Sequence, residues 1–191
     1  SHTQWTPSLE PRITGKCMGV MGTGGIGAAI ALAAKSFAVE VIGLNSDGRA
    51  VEGFNTCYPS ADRLAFAEGL DYLVSVLPQT AQTDNLIDHE VLTRLNPGAI
   101  VINAGRGNAV VEADLIASLN AGHVRAAVLD VFREEPLPPD DPLWSTPGVH
   151  ITSHTAGPTP DEAIGEVFER NLKLYIAGEP LNDAVSADRG Y

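Results

Sequence analysis

The chain has 191 residues, 44% of them hydrophobic and 19% charged, enough for one large or two small globular domains and unlike disordered or fibrous chains. Its 24 acidic against 12 basic residues give a formal charge of -12, a field that repels nucleic acid and anionic lipid and removes both from the expected partners. The longest small-apolar run, 25–34, stops at Lys35 short of a bilayer's width and the N-terminus lacks a signal peptide's basic and apolar regions, so a cytoplasmic protein without a membrane partner is expected.

Residues 1–11 read as a leader, either a stub between lobes or, at Ser1 and His2, a vector remnant. From Lys16 onward, short apolar runs at 17–21, 39–44, 72–77, 99–104, 126–131 and 149–152 alternate with helical patterns at 26–37, 61–68, 88–95 and 112–119. The apolar runs are nearly continuous, as expected of strands covered on both faces. The alternation predicts an α/β fold, a Rossmann-type doubly wound parallel sheet of about six strands. Cys17 and Cys57 show no metal spacing and read as structural thiols. A last helix is predicted to run to about Ala177, with Thr159 as N-cap, Pro160 at the first helical position, and Asp161 and Glu162 favouring the dipole. Gly178 stops it before Pro180. Its apolar positions Ala163, Ile164, Val167, Phe168, Leu172 and Tyr175 need a surface, and periodicity fits the chain's own sheet as well as a second lobe.

Gly22, Thr23, Gly24, Gly25, Ile26 and Gly27 match G-x-G-x-x-G. A lone match is weak, but this one follows an apolar run and opens an alanine-rich helix, the setting of a dinucleotide-binding loop. Gly22 permits the tight turn, Gly24 lets the backbone approach a pyrophosphate, and Gly27 allows close helix–strand contact. The N–H groups of that helix end would hold the phosphates. An acid usually ends the second strand and accepts from the adenosine ribose. Here stand Asn45, Ser46 and Asp47, followed by Arg49. Asn45 carries no charge to repel a 2′-phosphate, Ser46 and Arg49 can donate to one, and Asp47 argues the other way if the loop turns it inward. The balance tilts by a small margin to NADP(H) over NAD(H).

Arg106, Glu135 and His154 each follow a different apolar run. Residues just beyond the carboxyl ends of parallel strands gather at one edge of the sheet, the edge that carries the glycine loop. Reducing a 2-oxo acid requires a hydride on the carbonyl carbon, a proton for the developing alkoxide, and a cation for the carboxylate. His154 suits the proton because an imidazole titrates near neutrality. Glu135 suits the other ring nitrogen, and Arg106 offers a planar fork to the carboxylate. Singly, each has a bland reading as a loop, turn or surface residue; their joint placement favours chemistry. His89, His123 and His150 do not share it. No G-x-S-x-G elbow is present, and His150 with His154 lack a third ligand, so no metal is expected.

Further segments follow in order: Leu77-Pro78-Gln79-Thr80 with Thr83 and Leu86-Ile87; Asn103-Ala104-Gly105-Arg106-Gly107; Leu129-Asp130-Val131-Phe132-Arg133-Glu134-Glu135-Pro136; and Ile151-Thr152-Ser153-His154-Thr155-Ala156-Gly157. With the glycine loop they resemble the D-isomer-specific 2-hydroxy-acid dehydrogenases over roughly residues 12–191. The resemblance implies that Arg106 binds substrate, Glu135 partners His154, and His154 is the acid/base. It implies further that Asp130 lies near the nicotinamide carboxamide and Pro78 lines the cofactor cleft. Leu77, Thr83, Ala104, Gly105, Ala156 and Gly157 join the glycine loop, Asn45, Ser46, Arg49, Arg106 and His154 as expected cofactor neighbours. Glu112-Ala113-Asp114-Leu115, Pro142-Leu143-Trp144 and Arg189-Gly190-Tyr191 look like the glyoxylate/hydroxypyruvate reductase branch, which commonly uses NADPH.

The resemblance also implies a small 2-oxo or 2-hydroxy acid as substrate and a homodimer through the cofactor domain. Two departures stand out. Ser153 replaces the proline often found before the family's histidine, which predicts a looser backbone there. The family's N-terminal substrate lobe is expected to be absent from these residues, so Thr3 to Glu10, with Trp5, looks like a connecting stub. The expected division is 1–11 stub, 12–157 cofactor domain, and 158–191 a helix and tail returning to the absent lobe. The expected function is NAD(P)H-dependent reduction of a 2-oxo acid, with little or no turnover by these residues alone. The alternative is a non-catalytic NAD(H)-sensing module related to corepressors of the same fold.

Overall fold

The apolar runs become the strands of one sheet, each paired in parallel with its neighbours. The computed structural model describes residues 12–157, 159–182 and 184–185, so the leader with Trp5 and the Arg189-Gly190-Tyr191 segment lie outside the described residues. The strands are β1 (Cys17–Met21), β2 (Glu40–Asn45), β3 (Thr56–Pro59), β4 (Tyr72–Ser75), β5 (Ala99–Asn103), β6 (Val124–Leu129) and β7 (Val149–Ile151). Their spatial order is β3-β2-β1-β4-β5-β6-β7. The expected six strands are therefore seven. The addition, β3, is a four-residue edge strand whose residues are only partly covered, so it lacks the apolar run that marks a central strand. Pro59 ends it on that edge, where a missing N–H costs no ladder bond.

Helices cover both faces. α1 (Gly25–Lys35) packs Ala31 and Ala34 against Met18, Val20, Val41 and Val74. On the other face, α2 (Arg63–Ala67), α3 (His89–Leu92) and α4 (Glu112–Asn120) bring Phe66, Val91, Leu92 and Leu115 onto Met21, Leu73, Val101 and Leu129. The alternation of Met18 and Val20 with Gly19 and Met21 places successive β1 residues on opposite faces. Gly19 is required there, because a Cβ would lie 2.3 Å from Leu70 Cδ1 and 2.7 Å from Phe66 Cζ. Cys17 and Cys57 are free and half-buried; burial, with Glu40 and Asp71 nearby, pushes the Cys17 thiol up, as suits an unreactive structural thiol.

Two helices are shorter than the sequence pattern suggests. The first part of the predicted 61–68 helix is a turn of 3₁₀ helix, Ser60–Asp62. α3 stops at Leu92 and gives way to tighter three-residue bonds, Arg94 to Val91 and Leu95 to Leu92. Pro97 follows soon after and biases Asn96 away from helix.

α5 (Asp161–Ala177) corrects the expected cap. Pro160, with ψ of 145°, takes the N-cap position, and its carbonyl accepts from Ala163 and Ile164; Thr159 does not cap. The C-terminal end agrees with expectation, since Gly178 adopts φ of 70° and donates to Tyr175. No residue of α5 is buried: Phe168, Tyr175 and Ile176 are 67%, 74% and 76% exposed. Its apolar stripe therefore does not pack on the chain's own sheet. Among the described residues, no helix is long and apolar enough to cross a membrane.

Candidate functional site

β1 has β2 on one side and β4 on the other, so the chain reverses direction across the sheet between these strands. Beyond the carboxyl ends of strands at such a reversal, neighbouring loops part and leave a crevice. Here it is a cleft of about 550 Å³, lined by the glycine loop, by 44–47 with Arg49 and Ser60, and by Val76, Leu77, Pro78, Thr80, Gln82 and Thr83.

The glycine loop is built as its spacing predicts. Gly22 has φ of 98°, a conformation that favours glycine, and donates to the Leu44 carbonyl at 2.9 Å. A Cβ on Gly27 would sit 1.9 Å from the Gly22 oxygen, so only glycine lets α1 approach this closely. Gly24 is the N-cap of α1; no side chain caps the helix, and its first turn holds no acid. A Cβ on Gly24 or Gly25 would meet no protein atom within 4 Å. The protein's own packing thus leaves both positions free to face a ligand, and the uncapped helix end favours an anion. Ile26 is 67% exposed beside it.

Thr23 and Asn45 turn inward. Both are buried, and Asn45 Nδ2 donates to Thr23 Oγ1 at 3.1 Å and to the Arg49 carbonyl at 2.9 Å. Asn45 Oδ1 accepts from Gly48 N–H at 2.7 Å. This amide is occupied in shaping the loop after β2, so Ser46, Asp47 and Arg49 are the side chains left exposed at the mouth of the cleft. Arg49 pairs with Asp47 at 3.0 Å. The Arg49 N–H, then its guanidinium, hold the Asp47 carboxyl below its usual range. On the opposite wall, Thr83 Oγ1 donates to the Pro78 carbonyl at 2.7 Å and accepts from Thr80 N–H at 2.9 Å, folding the 78–83 loop. Thr80 of the Leu77–Thr80 segment lines the cleft, as do Ser60 and Gln82, which no motif in the sequence marks.

Arg106, Glu135 and His154 follow β5, β6 and β7, three adjacent strands. The Gly105-Arg106-Gly107 turn is wedged between two backbones: a Cβ on Gly105 would lie 2.6 Å from Leu77 N, and one on Gly107 would lie 1.9 Å from the Phe132 carbonyl carbon. Arg106 is exposed between them, and its Nη1 donates to the Gly105 carbonyl at 2.7 Å. Ala104 precedes this turn and donates its N–H to the Ser75 carbonyl at 3.0 Å.

Glu135 Oε2 and His154 Nδ1 are 2.8 Å apart. Glu135 Oε1 accepts the Phe132 N–H at 2.9 Å. The hydrogen bond to His154, then that from Phe132, hold the Glu135 carboxyl below its usual range, and the charges of His154 and Arg106 act in the same direction.

His154 has φ of 53°, left-handed for a residue with a Cβ, which costs on the order of 1 kcal/mol unless neighbours fix it. Asp130 supplies that constraint. Its carbonyl accepts the His154 N–H at 2.8 Å, and its buried carboxylate accepts the Thr152 hydroxyl and the N–H groups of Thr155 at 2.9 Å and Ala156 at 3.0 Å. The backbone beside Ser153 is thus tied on both sides, where the sequence predicted a looser one. Gly157 is exposed, with no protein atom within 4 Å of a Cβ. This role of Asp130 as a latch on the His154 loop has no sequence signature. Among the described residues, no group of three metal-ligating side chains is positioned to hold an ion.

Comparison with known proteins bears on the fold and the family. Residues 1–156 match the family model described as "D-isomer specific 2-hydroxyacid dehydrogenase, NAD binding domain". A glyoxylate/hydroxypyruvate reductase A of Yersinia enterocolitica is 36% identical over 189 residues, covering 98% of this chain and 60% of that protein. A D-isomer specific 2-hydroxyacid dehydrogenase from Xanthobacter autotrophicus, solved with NADPH and MES, superposes with a TM-score of 0.91 at 35% identity, covering 98% of this chain and 78% of the other. An NADPH-dependent glyoxylate/hydroxypyruvate reductase from Sinorhizobium meliloti, solved with NADP and sulfate, gives 0.91 at 32% identity, covering 98% and 61%. The chain spans about 60% of the length of the curated relatives it matches. The family model, the shared fold and the order of the loops agree: the chain belongs to the D-isomer specific 2-hydroxyacid dehydrogenase family.

Proposed function

We propose that the chain is the cofactor-binding unit of an oxidoreductase that reduces a small 2-oxo acid, of the glyoxylate/hydroxypyruvate type, to the 2-hydroxy acid. The observation that carries this reading is the hydrogen-bonded His154–Glu135 pair, 2.8 Å apart, with Arg106 on the next strand end, at the same sheet edge as the cleft of the glycine loop. The residues fit a nicotinamide dinucleotide: an uncapped helix end behind Gly24 and Gly25, open space beyond both, and no acid in the first turn. When bound, the reduced nicotinamide supplies the hydride.

The chain's own residues account for the rest. Glu135, kept ionised by its two donors, holds His154 by Nδ1 and fixes the direction of the ring. Nε2 is then the atom that delivers a proton to the substrate oxygen. Arg106 offers two parallel donors to the substrate carboxylate. Asp130 fixes the loop so that the imidazole keeps one direction.

NADP(H) is preferred over NAD(H) in this reading. Ser46 and Arg49 stand at the mouth of the cleft to receive a 2′-phosphate, with Arg49 exchanging Asp47 for it. Asn45 acts through the loop it builds. An Asn45→Asp exchange removes both of its donated bonds, and it is expected to weaken NADPH and NADH alike by about tenfold, an energy near that of one hydrogen bond. Titration of the variant with each cofactor checks this; a clean switch to NADH would contradict it.

Residues 12–157 form the cofactor domain, and the α5 segment belongs with a substrate lobe, which accords with its exposed apolar stripe. A homodimer through the cofactor domain and a cytoplasmic setting, suited to two free thiols, complete the reading. Because the relatives are longer, turnover is expected to be slight in the 191 residues alone and substantial once a substrate lobe is joined to them. The test is glyoxylate-dependent oxidation of NADPH in both forms. His154→Ala is expected to lower the rate by about 100-fold or more. A variant with the wild-type rate would remove His154 from the acid/base role.

A further inference from the structure

Arg133 lies two residues before Glu135 and has no part in the chemistry above. Its guanidinium points to other segments. Nη2 donates to Asn85 Oδ1 and to the carbonyls of Asn108 at 2.8 Å and Val110 at 3.1 Å. Nη1 pairs with Asp84 at 3.4 Å. The Arg133 N–H donates to Glu112 Oε1 at 3.2 Å. One side chain thereby gathers the loop at 84–85, the stretch that directly follows Arg106-Gly107, and the turn that carries Glu135.

These segments meet where the site needs accuracy. The Arg106 turn and the Glu135 turn come from different strands, and they touch backbone to backbone at Gly107 and Phe132. Phe132 N–H is also one of the two donors that hold Glu135. Sliding this turn would therefore change the distance to Arg106 and the Glu135–His154 bond together. Three of the four acceptors of the guanidinium are neutral, so the strap acts through the fixed angles of a planar fork more than through charge.

We propose that Arg133 is a positioning residue, strapping the Glu135 turn to residues 84–85 and 108–110 and so setting the spacing between Arg106 and the Glu135–His154 pair. The proposal rests on the reading of that trio as the 2-oxo acid site. Its test needs no turnover and no cofactor, so either can fail without the other.

The measurement is an NMR titration of the Glu135 carboxyl carbon in the 191-residue chain. Arg133→Lys keeps the charge and loses the fork; Asn85→Ala removes a neutral acceptor and leaves the charge untouched. The expected result is a Glu135 pKa that rises toward the ordinary glutamate value, by about half a unit or more in Arg133→Lys and by less in Asn85→Ala. The carboxyl of Glu169, paired with Lys173 on α5, should stay fixed in both. A folded Arg133→Lys chain with unchanged Glu135 titration overturns the proposal. Should Arg133→Lys fail to fold, Asn85→Ala decides: a rise supports the strap, and an unchanged titration overturns it.

Discussion

Asp130 is buried, yet it is charged and takes three donors, the Thr152 hydroxyl and the N–H groups of Thr155 and Ala156. Burial pushes its pKa up, but those donors and the His154 charge outweigh it, and the net result lies below the usual carboxylate range. Since the folded value is lower than the unfolded one, the carboxylate's stabilisation is fully present above about pH 4 and is lost as pH falls through the lowered value. Asp130→Asn turns an accepting oxygen into an amide NH2 donor that faces N–H groups. A loss of about 1–3 kcal/mol at pH 7 is expected from urea unfolding, together with a shallower decline in acid. Unchanged stability would mean that the latch contributes nothing net. The family resemblance implied a place for Asp130 near the cofactor, but the direction of its oxygens depends on how a loop distant in sequence returns to it, which no local pattern encodes. Gly27 is the opposite case, legible because its constraint is local. Gly27→Ala would put a Cβ 1.9 Å from the Gly22 oxygen, and overpacking of about 1–3 kcal/mol with loss of cofactor binding is expected.

Among the elements, the strands that carry an apolar run were read most reliably. β1 runs over Cys17–Met21 as predicted, and β5 and β7 differ from expectation by a residue at the carboxyl end. β6 starts two residues earlier, at Val124, because exposed Arg125 interrupts the apolar pattern. β3 escaped because an edge strand needs no apolar run, and α3 was overextended because periodicity continues where the backbone tightens into three-residue bonds. α5 shows what periodicity cannot decide: its apolar stripe is real, but its partner is not in the sequence pattern. With no buried residue, α5 gains little from packing and should open locally. Hydrogen exchange is expected to be on the order of 100-fold faster in α5 than in β1, β4 and β5. Equal protection would contradict its independence from the sheet.

At the level of the whole molecule, the βαβ alternation fixed the location of the site before any side chain was known. Parallel strands with one reversal of order gather their carboxyl-end loops along one edge, so the glycine loop and the Arg106, Glu135 and His154 loops share it. The sequence therefore showed which residues gather there. It did not show how they are held: Asn45 and Thr23, read as cofactor neighbours, line the cleft and are also buried and bonded to each other at 3.1 Å. Inward or outward orientation follows from hydrogen bonds between loops, and these form only after the sheet has brought them together. The proposed reduction of a 2-oxo acid requires this edge to bind a nicotinamide dinucleotide. Equilibrium fluorescence titration of the 191-residue chain with NADPH and NADH tests it most directly. Saturable binding of both, tighter for NADPH and abolished in Gly27→Ala, is the predicted result; a folded wild-type chain that binds neither would contradict it.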